Sequence, residues 1–205
     1  DFKRKKFPII IYTGTFGLVN DISYLIDLAK NLLLIKSNIK IVLLGNGSQR
    51  EKLVERSIVN NTYKKNIFFI SEIPKKEIPF LYSYASMMVS TVKNIPELNA
   101  NSANKFFDSL AAGKPIFINH SGWMKELIEK YGCGYCSWNK PLHDVAKELN
   151  FILNKKQTIN QMGLKSIKLA KLHFDIDVLT LQFSLLVEKL FDSNLHPEDI
   201  APGIY

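Results

Sequence analysis

The sequence has few of the residues and patterns that define several protein classes. Its 205 residues include two cysteines, Cys133 and Cys136, and four well-separated histidines, which does not suit a disulfide framework or a histidine-rich metal site. No apolar run approaches the roughly 20 residues needed to span a bilayer. The first residues have no signal-peptide pattern. We therefore expect a cytoplasmic protein without a disulfide framework.

The two cysteines form the segment Cys133-Gly-Tyr-Cys136, which has the spacing of a thioredoxin-type redox motif. Such a motif begins a helix after a strand. Here it follows Tyr131 and Gly132 and precedes Ser137, which favours a short strand or its turn. We interpret both cysteines as buried or incidental residues.

The charge balance is basic, with a formal net charge of +8. A basic protein favours anionic partners, such as a nucleotide, a nucleic acid or an anionic membrane surface. No basic helix with interleaved aromatic residues, zinc-finger spacing or RNA-binding signature occurs, so we expect no nucleic-acid partner. The alternative is that the lysines form an ordinary solvated surface.

Apolar segments alternate with amphipathic ones from the N-terminus to about residue 138. The predicted strands cover residues 7–13, 39–44, 66–70, 87–90 and 116–118. Helices are predicted between them, one of them capped by Ser48, and another over about 122–130. Wholly apolar strands alternating with helices predict an α/β fold, a doubly wound parallel sheet covered on both faces. Ligands of such folds bind beyond the carboxyl ends of the strands.

The C-terminal third has a different pattern. After Pro141 only helices are predicted, over about 143–153, 158–172 and 178–191, followed by an extended tail. The fold is therefore expected to carry extra C-terminal helices.

Two glycine-containing turns follow predicted strands. Gly14-Thr15-Phe16-Gly17 joins a strand to a helix, and such a turn brings backbone N–H groups close to a diphosphate. The alternative is a purely structural turn. The second turn, Gly45-Asn-Gly47, is interpreted as a simple connection in which glycine relieves the backbone.

The stretch from Asn101 to Pro115 is the leading candidate for a functional element. Asn101 or Ser102 is predicted to cap a helix that stops at Gly113. The helix start carries Lys105, with Asp108 about one turn later, and suits a phosphate and a sugar hydroxyl. The alternative is an ordinary capped helix in which these two charges form an i,i+3 pair. An apolar stripe is predicted at Phe106, Phe107, Leu110 and Ala111.

Read together, these motifs resemble the carboxy-terminal, donor-binding domain of GT-B retaining glycosyltransferases of family 4. The likeness covers about residues 7–138. Its most specific part is Asp-Ser-Leu-Ala-Ala-Gly-Lys-Pro, over 108–115, which is similar to the family's Glu-Ala-Met-Ala-x-Gly-x-Pro motif. The preceding Ser-x-Asn-Lys is similar to a branch that builds bacterial surface polysaccharides, including amino-sugar transferases.

The resemblance implies a Rossmann-like domain, over 1–192, that binds a nucleoside diphosphate sugar, most often a UDP-sugar, with a tail over 193–205. The sequence does not begin with methionine, and its first residues are typical of a linker. An acceptor-binding domain is therefore expected before them. The other implied partners are a glycan or lipid-linked acceptor and the inner membrane face. No cofactor or metal is implied, since Lys105 and the helix dipole would stabilise the leaving diphosphate.

The resemblance also implies individual site residues. Lys105 and Asp108 are the implied catalytic residues, with Asp108 at the motif glutamate that binds the ribose hydroxyls. The implied donor contacts are Gly14, Thr15, Phe16, Gly17, Ser71, Ser102, Ala103, Asn104, Lys105 and Asp108. Among them, residues 14–17 and 102–105 would face the diphosphate, and the turn at Ser71 would hold the base.

Two positions depart from the family pattern. Ala100 stands where the family has its first motif glutamate, and the uncharged Asn20 stands near its basic residue in the first glycine loop. Two other functions therefore remain open: an epimerase acting on sugar nucleotides with the same half-fold, or a non-catalytic domain that has lost donor chemistry.

Overall fold

The computed structural model describes residues 7–191 and contains one six-stranded parallel sheet, in the order β3-β2-β1-β4-β5-β6. The strands are β1 Ile9–Thr13, β2 Lys40–Leu44, β3 Ile67–Ile70, β4 Met87–Ser90, β5 Ile116–Ile118 and β6 Gly134–Cys136. The helices are α1 Ile22–Leu34, α2 Arg50–Val59, α3 Ile78–Tyr84, α4 Asn104–Ala111, α5 Trp123–Tyr131, α6 Leu142–Leu153, α7 Lys156–His173 and α8 Ile176–Phe191. The predicted doubly wound α/β fold is confirmed. The predicted tail over 193–205 lies outside the described residues.

The two faces of the sheet bury separate hydrophobic clusters, because successive strand side chains point to opposite faces. In β1, Ile10 and Tyr12 pack in the cluster that α1 and α6 cover. Ile9 and Ile11 pack in the cluster that α4, α5 and α7 cover. Burial on both faces explains why the strands are apolar throughout.

The strand order reverses next to β1, which pairs with β2 on one side and β4 on the other. The connections after β1 and β4 therefore leave the sheet toward opposite faces. A crevice opens at the carboxyl ends of these two strands. The turn after β1 and the start of α4 both lie at this edge.

Three details of the predicted helix starts and faces were wrong. α2 begins at Arg50 after Gln49, not after Ser48, because residues 47–50 first form a turn, in which the Arg50 N–H donates to the Gly47 carbonyl at 3.0 Å. α4 begins after Ala103, and no side chain caps it. On α4, Ser109 is buried and Ala111 is exposed, because the Ser109 hydroxyl donates to the Lys114 carbonyl at 3.0 Å.

The C-terminal helices cover the sheet to different degrees. α6 lies on α1 and α7 lies on α4, whereas α8 contacts α7 and buries none of its residues. Within residues 7–191, no helix combines the length and hydropathy needed to cross a membrane.

Candidate nucleotide-binding site

A cavity of about 1340 Å³ lies at the carboxyl edge of the sheet, between the turns after β1, β2 and β3 and the first turns of α4. Its lining comprises Thr13, Gly14, Thr15, Asn20, Leu44, Gly45, Glu72, Ile73, Lys75, Ile78, Pro79, Tyr82, Ser83, Asn104, Lys105, Phe107, Asp108, Ala111, Ala112 and Lys114. A second cavity, of about 720 Å³, lies at the opposite edge of the sheet and contains none of the predicted site residues. The first cavity is at the position where doubly wound folds bind ligands.

The turn after β1, residues 14–17, is held by hydrogen bonds on both sides. The Gly14 and Phe16 N–H groups donate to the carbonyls of Leu44 and Asn46, at 3.0 and 2.7 Å. The Thr15 carbonyl accepts from the Tyr12 hydroxyl at 2.9 Å and from the Asn20 side-chain amide at 2.8 Å. Within residues 7–191, the Thr15 and Gly17 N–H groups have no acceptor. The turn is thus fixed in place with two donors still open.

The glycines after β2 allow this turn to lie against a second turn. Gly47 has φ +152°, and a Cβ atom there would stand 2.7 to 2.8 Å from the O, C and N atoms of Phe16. A Cβ atom at Gly45 would overlap the Gly14 carbonyl oxygen. Because only glycine permits this approach, these residues shape the first turn. The sequence-based interpretation of Gly45 and Gly47 as a simple connection missed this role.

Lys105, the second residue of α4, crosses Gly14 and reaches the end of β1. A Cβ atom at Gly14 would stand 3.3 Å from Lys105 Cε and 3.6 Å from Nζ. The ammonium lies 5.2 Å from the centre of the Tyr12 ring. Burial lowers the pKa of Lys105, and the negative charge of Asp108 only partly offsets this. Lys105 has no ion pair with any residue of the described range, so its charge is available to an anion.

The first turn of α4 contributes backbone donors. Its N-cap, Ala103, provides no side-chain acceptor, and the first N–H groups of a helix have no intrahelical partner. Asn104 and Lys105 line the cavity at this helix start. The positive end of the helix dipole and the Lys105 ammonium therefore favour the same anion.

Asp108 lies one turn further along α4 and is exposed to the cavity. Desolvation raises the pKa of Asp108 more than the Lys105 charge lowers it. The i,i+3 pair that we considered for these two residues does not form an ion pair in the described part of the chain. A carboxylate without a bound cation retains its capacity to accept hydrogen bonds from hydroxyl groups.

The structure brings part of the predicted set to the cavity. Gly14, Thr15, Asn104, Lys105 and Asp108 line it, whereas Phe16, Gly17, Ser71, Ser102 and Ala103 are not among its lining residues. The correction is clearest for Phe16, which is fully buried with its ring 6.1 Å from that of Phe69. Its N–H already has an acceptor, so Phe16 supports the turn from inside. Ser71 is exposed, and the next residues, Glu72 and Ile73, reach the cavity instead.

Of the two positions that depart from the family pattern, Asn20 has a role in the structure of the site. Asn20 lines the cavity, but its side-chain amide donates to Thr15. Ala100 is exposed at the end of a 3₁₀ helix, Pro96–Ala100. The adjoining segment is fixed by the Trp123 indole N–H, which donates to the Asn101 carbonyl at 3.2 Å. Neither position supplies a charge to the cavity.

Several cavity residues were not predicted from the sequence. Lys75 and Lys114 add two cations. The Lys114 ammonium donates to the carbonyls of Ser83 and Ala85, both at 3.1 Å, and burial lowers its pKa. The sequence carries no signal for either residue: Lys75 belongs to no motif, and Lys114 stands at an unspecified position (x) of the motif over 108–115. Between residues 7 and 191, no cluster of three or more His, Cys, Asp or Glu side chains is arranged to hold a metal ion.

Three solved structures have the same fold at low sequence identity. A TarM variant from S. aureus, in complex with fondaparinux, α-GlcNAc-glycerol and UDP, has a TM-score of 0.73 and 15% identity, over 89% of this chain and 36% of that chain. HepE from Anabaena, in complex with UDP-glucose, has a TM-score of 0.72 and 16% identity, over 89% and 49% of the two chains. The C-terminal domain of LpcC from Francisella tularensis, a glycosyl transferase group 1 family protein, has a TM-score of 0.67 and 18% identity, over 84% and 90%.

This chain therefore spans about a third of the length of TarM and half that of HepE. Its α/β fold is that of a GT-B carboxy-terminal domain. The search of curated protein sequences gave no match. The family of glycosyl transferases group 1, in contrast, matches residues 1–168. That match covers most of the 205 residues, and the chain belongs to the glycosyl transferases group 1 family.

Proposed function

We propose that this chain is the donor-binding half of a retaining glycosyltransferase of family 4, and that its cavity binds a nucleoside diphosphate sugar, with UDP as the nucleotide. The observation that carries the proposal is the position of the Lys105 ammonium, beside Gly14 and at the start of α4, without an ion pair in the described residues. Two relatives in fold have UDP or UDP-glucose bound. A diphosphate is the ligand that suits a cation and a helix start together.

The proposed roles divide the cavity into three parts. The diphosphate lies against Lys105, the free N–H groups at the start of α4 and the Thr15 N–H. The Asp108 carboxylate accepts hydrogen bonds from the ribose hydroxyls. The base lies near Glu72 and Ile73, in the turn after β3, rather than on Ser71 itself.

Transfer of the sugar places negative charge on the departing diphosphate as the glycosidic bond breaks. A fixed ammonium and the positive end of a helix stabilise this charge more strongly in the transition state than in the bound donor. No metal or other cofactor is needed for that step in our proposal. The chain supplies the cation itself through Lys105.

The acceptor and the rest of the enzyme are also part of the proposal. The chain spans 36% of TarM and 49% of HepE, so we expect a second domain to bind a glycan or lipid-linked acceptor. We expect residues 1–192 to form one domain that binds the donor without the second domain but transfers little sugar. The Ser-x-Asn-Lys segment at 102–105 favours a surface-polysaccharide enzyme with an amino-sugar donor, acting in the cytoplasm at the inner membrane face.

The test is calorimetric titration of UDP into the chain and into the variants Lys105→Ala and Asp108→Ala. We expect Lys105→Ala to weaken binding by about tenfold to a hundredfold, the range of a charge-assisted hydrogen bond. Asp108→Ala should remove the preference for UDP over 2′-deoxy-UDP, because it removes the acceptor for the ribose hydroxyls. Equal UDP affinity of both variants and the unmodified chain would reject the site.

One alternative has its own support. Ala100 and Asn20 leave two family positions without charge, which favours a domain of the same fold without donor chemistry. If that alternative holds, the unmodified chain will bind neither UDP, UDP-sugars nor other nucleoside diphosphates.

An epimerase would need acid and base groups around the cavity. Among the residues that line the cavity, Asp108 and Glu72 are the only carboxylates.

A further inference from the structure

Tyr12 contacts both halves of the candidate phosphate site, the turn at residues 14–17 and the Lys105 ammonium. It is fully buried in β1, two residues before Gly14. Its hydroxyl donates to the Thr15 carbonyl at 2.9 Å, and its ring lies 5.2 Å from the Lys105 ammonium. The ring and the hydroxyl therefore contact different parts of the site.

The contact with Lys105 has a specific electrostatic consequence. An aromatic ring attracts a cation through its quadrupole without neutralising its charge. A carboxylate in the same place would form an ion pair and compete with an anionic ligand. The ring thus stabilises the ammonium where burial disfavours it, and the N–H donors of Lys105 stay free.

The hydroxyl contact fixes the turn opposite that ammonium. A Cβ atom at Gly14 would stand 3.6 Å from both Lys105 Nζ and the Tyr12 hydroxyl oxygen, so all three groups meet within one small volume. Burial raises the pKa of Tyr12, which keeps the hydroxyl protonated as a donor. The distance between the turn and the ammonium is set on both sides by the same residue.

We propose that Tyr12 is a positioning residue, whose ring holds the Lys105 ammonium and whose hydroxyl holds the Thr15 turn at the spacing that a diphosphate requires. This inference rests on the proposed function for its ligand. The geometry it describes belongs to the chain alone and is measurable without ligand.

The ligand test is a double-mutant cycle with UDP as the probe. Tyr12→Leu, which removes the ring, should weaken UDP binding by about threefold to thirtyfold. In the Lys105→Ala background the same change should cost only about twofold to fivefold, the share of the lost hydroxyl, because the ring acts through the ammonium. Equal losses in both backgrounds would overturn the proposal, since a role in folding alone does not depend on Lys105.

Tyr12→Phe isolates the hydroxyl. It keeps the ring and should weaken UDP binding by about twofold to fivefold, to the same extent with or without Lys105. The matched control is Tyr24→Phe, which removes the hydroxyl of a partly buried tyrosine, bonded to Ser137 at 2.7 Å and outside the cavity lining. It should leave the UDP affinity unchanged. A Tyr12→Phe variant with the affinity of the unmodified chain would contradict the role of the hydroxyl.

The ligand-free test uses nuclear magnetic resonance of ¹³C-lysine-labelled chain. The ε-methylene protons of Lys105, assigned through Lys105→Ala, should be shifted upfield by the Tyr12 ring in the unmodified chain and in Tyr12→Phe. Unshifted protons in both would overturn the proposal, even if Tyr12→Leu fails to fold. Upfield protons without any UDP binding would refute the donor site while supporting the position of Lys105.

Discussion

Gly47→Ala provides a direct test of how the turn after β2 shapes the candidate site. The new methyl group would stand 2.7 Å from the Phe16 carbonyl oxygen and 2.8 Å from the C and N atoms of the same residue, where ordinary contact begins at 3.4 Å. The turn at residues 14–17 would therefore move by about 0.7 Å, a change of the size that disturbs alignment in binding sites. This movement would change the position of Gly14 relative to the Lys105 ammonium.

The expected cost has two parts. Overpacking of this size costs about 1–3 kcal/mol. The backbone of Gly47, at φ +152°, adds about 1–3 kcal/mol when another residue must adopt it. We expect the free energy of unfolding in urea to fall by about 2–6 kcal/mol. UDP affinity should fall about tenfold or more in calorimetry, because the turn no longer faces the ammonium.

Two control variants separate these effects. Gly132 has φ +62°, but the nearest atom to a Cβ there is the end of the flexible Lys165 side chain, so Gly132→Ala should be destabilised and bind UDP normally. A Cβ atom at Gly17 would have its nearest neighbour at 3.5 Å, so Gly17→Ala should change neither quantity by much. If Gly47→Ala unfolds at the same urea concentration as the unmodified chain and binds UDP equally well, the reasoning is refuted.

Three further predictions concern charges and hydrogen bonds around the site. UDP affinity should be highest where Lys105 is protonated and should decline as the pH rises through its pKa, which burial places below 10.5; Lys105→Met should lack this decline, and a decline common to both would contradict it. Lys114→Ala should lower the free energy of unfolding by about 1–2 kcal/mol, because its ammonium holds two backbone carbonyls before β4; an unchanged urea midpoint would count against this. Trp123→Phe should cost about 1 kcal/mol through loss of the bond to the Asn101 carbonyl, and equal thermal stability would exclude it.

The sequence was sufficient to predict the type and order of the elements. The strand predicted over 87–90 coincides with β4, because a short apolar run between two helices is typical of a strand buried on both faces of a parallel sheet. The periodicity of apolar residues determines where a helix begins less precisely than it determines that a helix is present. Asn101 or Ser102 was predicted to cap α4, but the Asn101 carbonyl accepts from Trp123, and α4 begins at Asn104, after Ala103.

Only those residues of the candidate site that belong to a sequence motif were predicted. Lys105 and Asp108 belong to one helical segment, so their spacing places them near each other. Tyr12, in contrast, belongs to an apolar strand and looks like a core residue in the sequence. The roles of Gly45 and Gly47 depend on backbone approach to a turn about 30 residues earlier, which local patterns do not encode.

The central claim is that the cavity beside the start of α4 binds a nucleoside diphosphate. The most direct measurement is a titration of UDP into ¹⁵N-labelled chain, followed through the backbone amide resonances. We predict that the largest saturable shifts occur at Thr15, Asn104 and Lys105, and that in Lys105→Ala the shifts at Thr15 and Asn104 saturate only at about tenfold to hundredfold higher UDP concentrations. Shifts concentrated instead at Asn154 and Gly163, in the second cavity, or no saturable shifts at all, would contradict the claim.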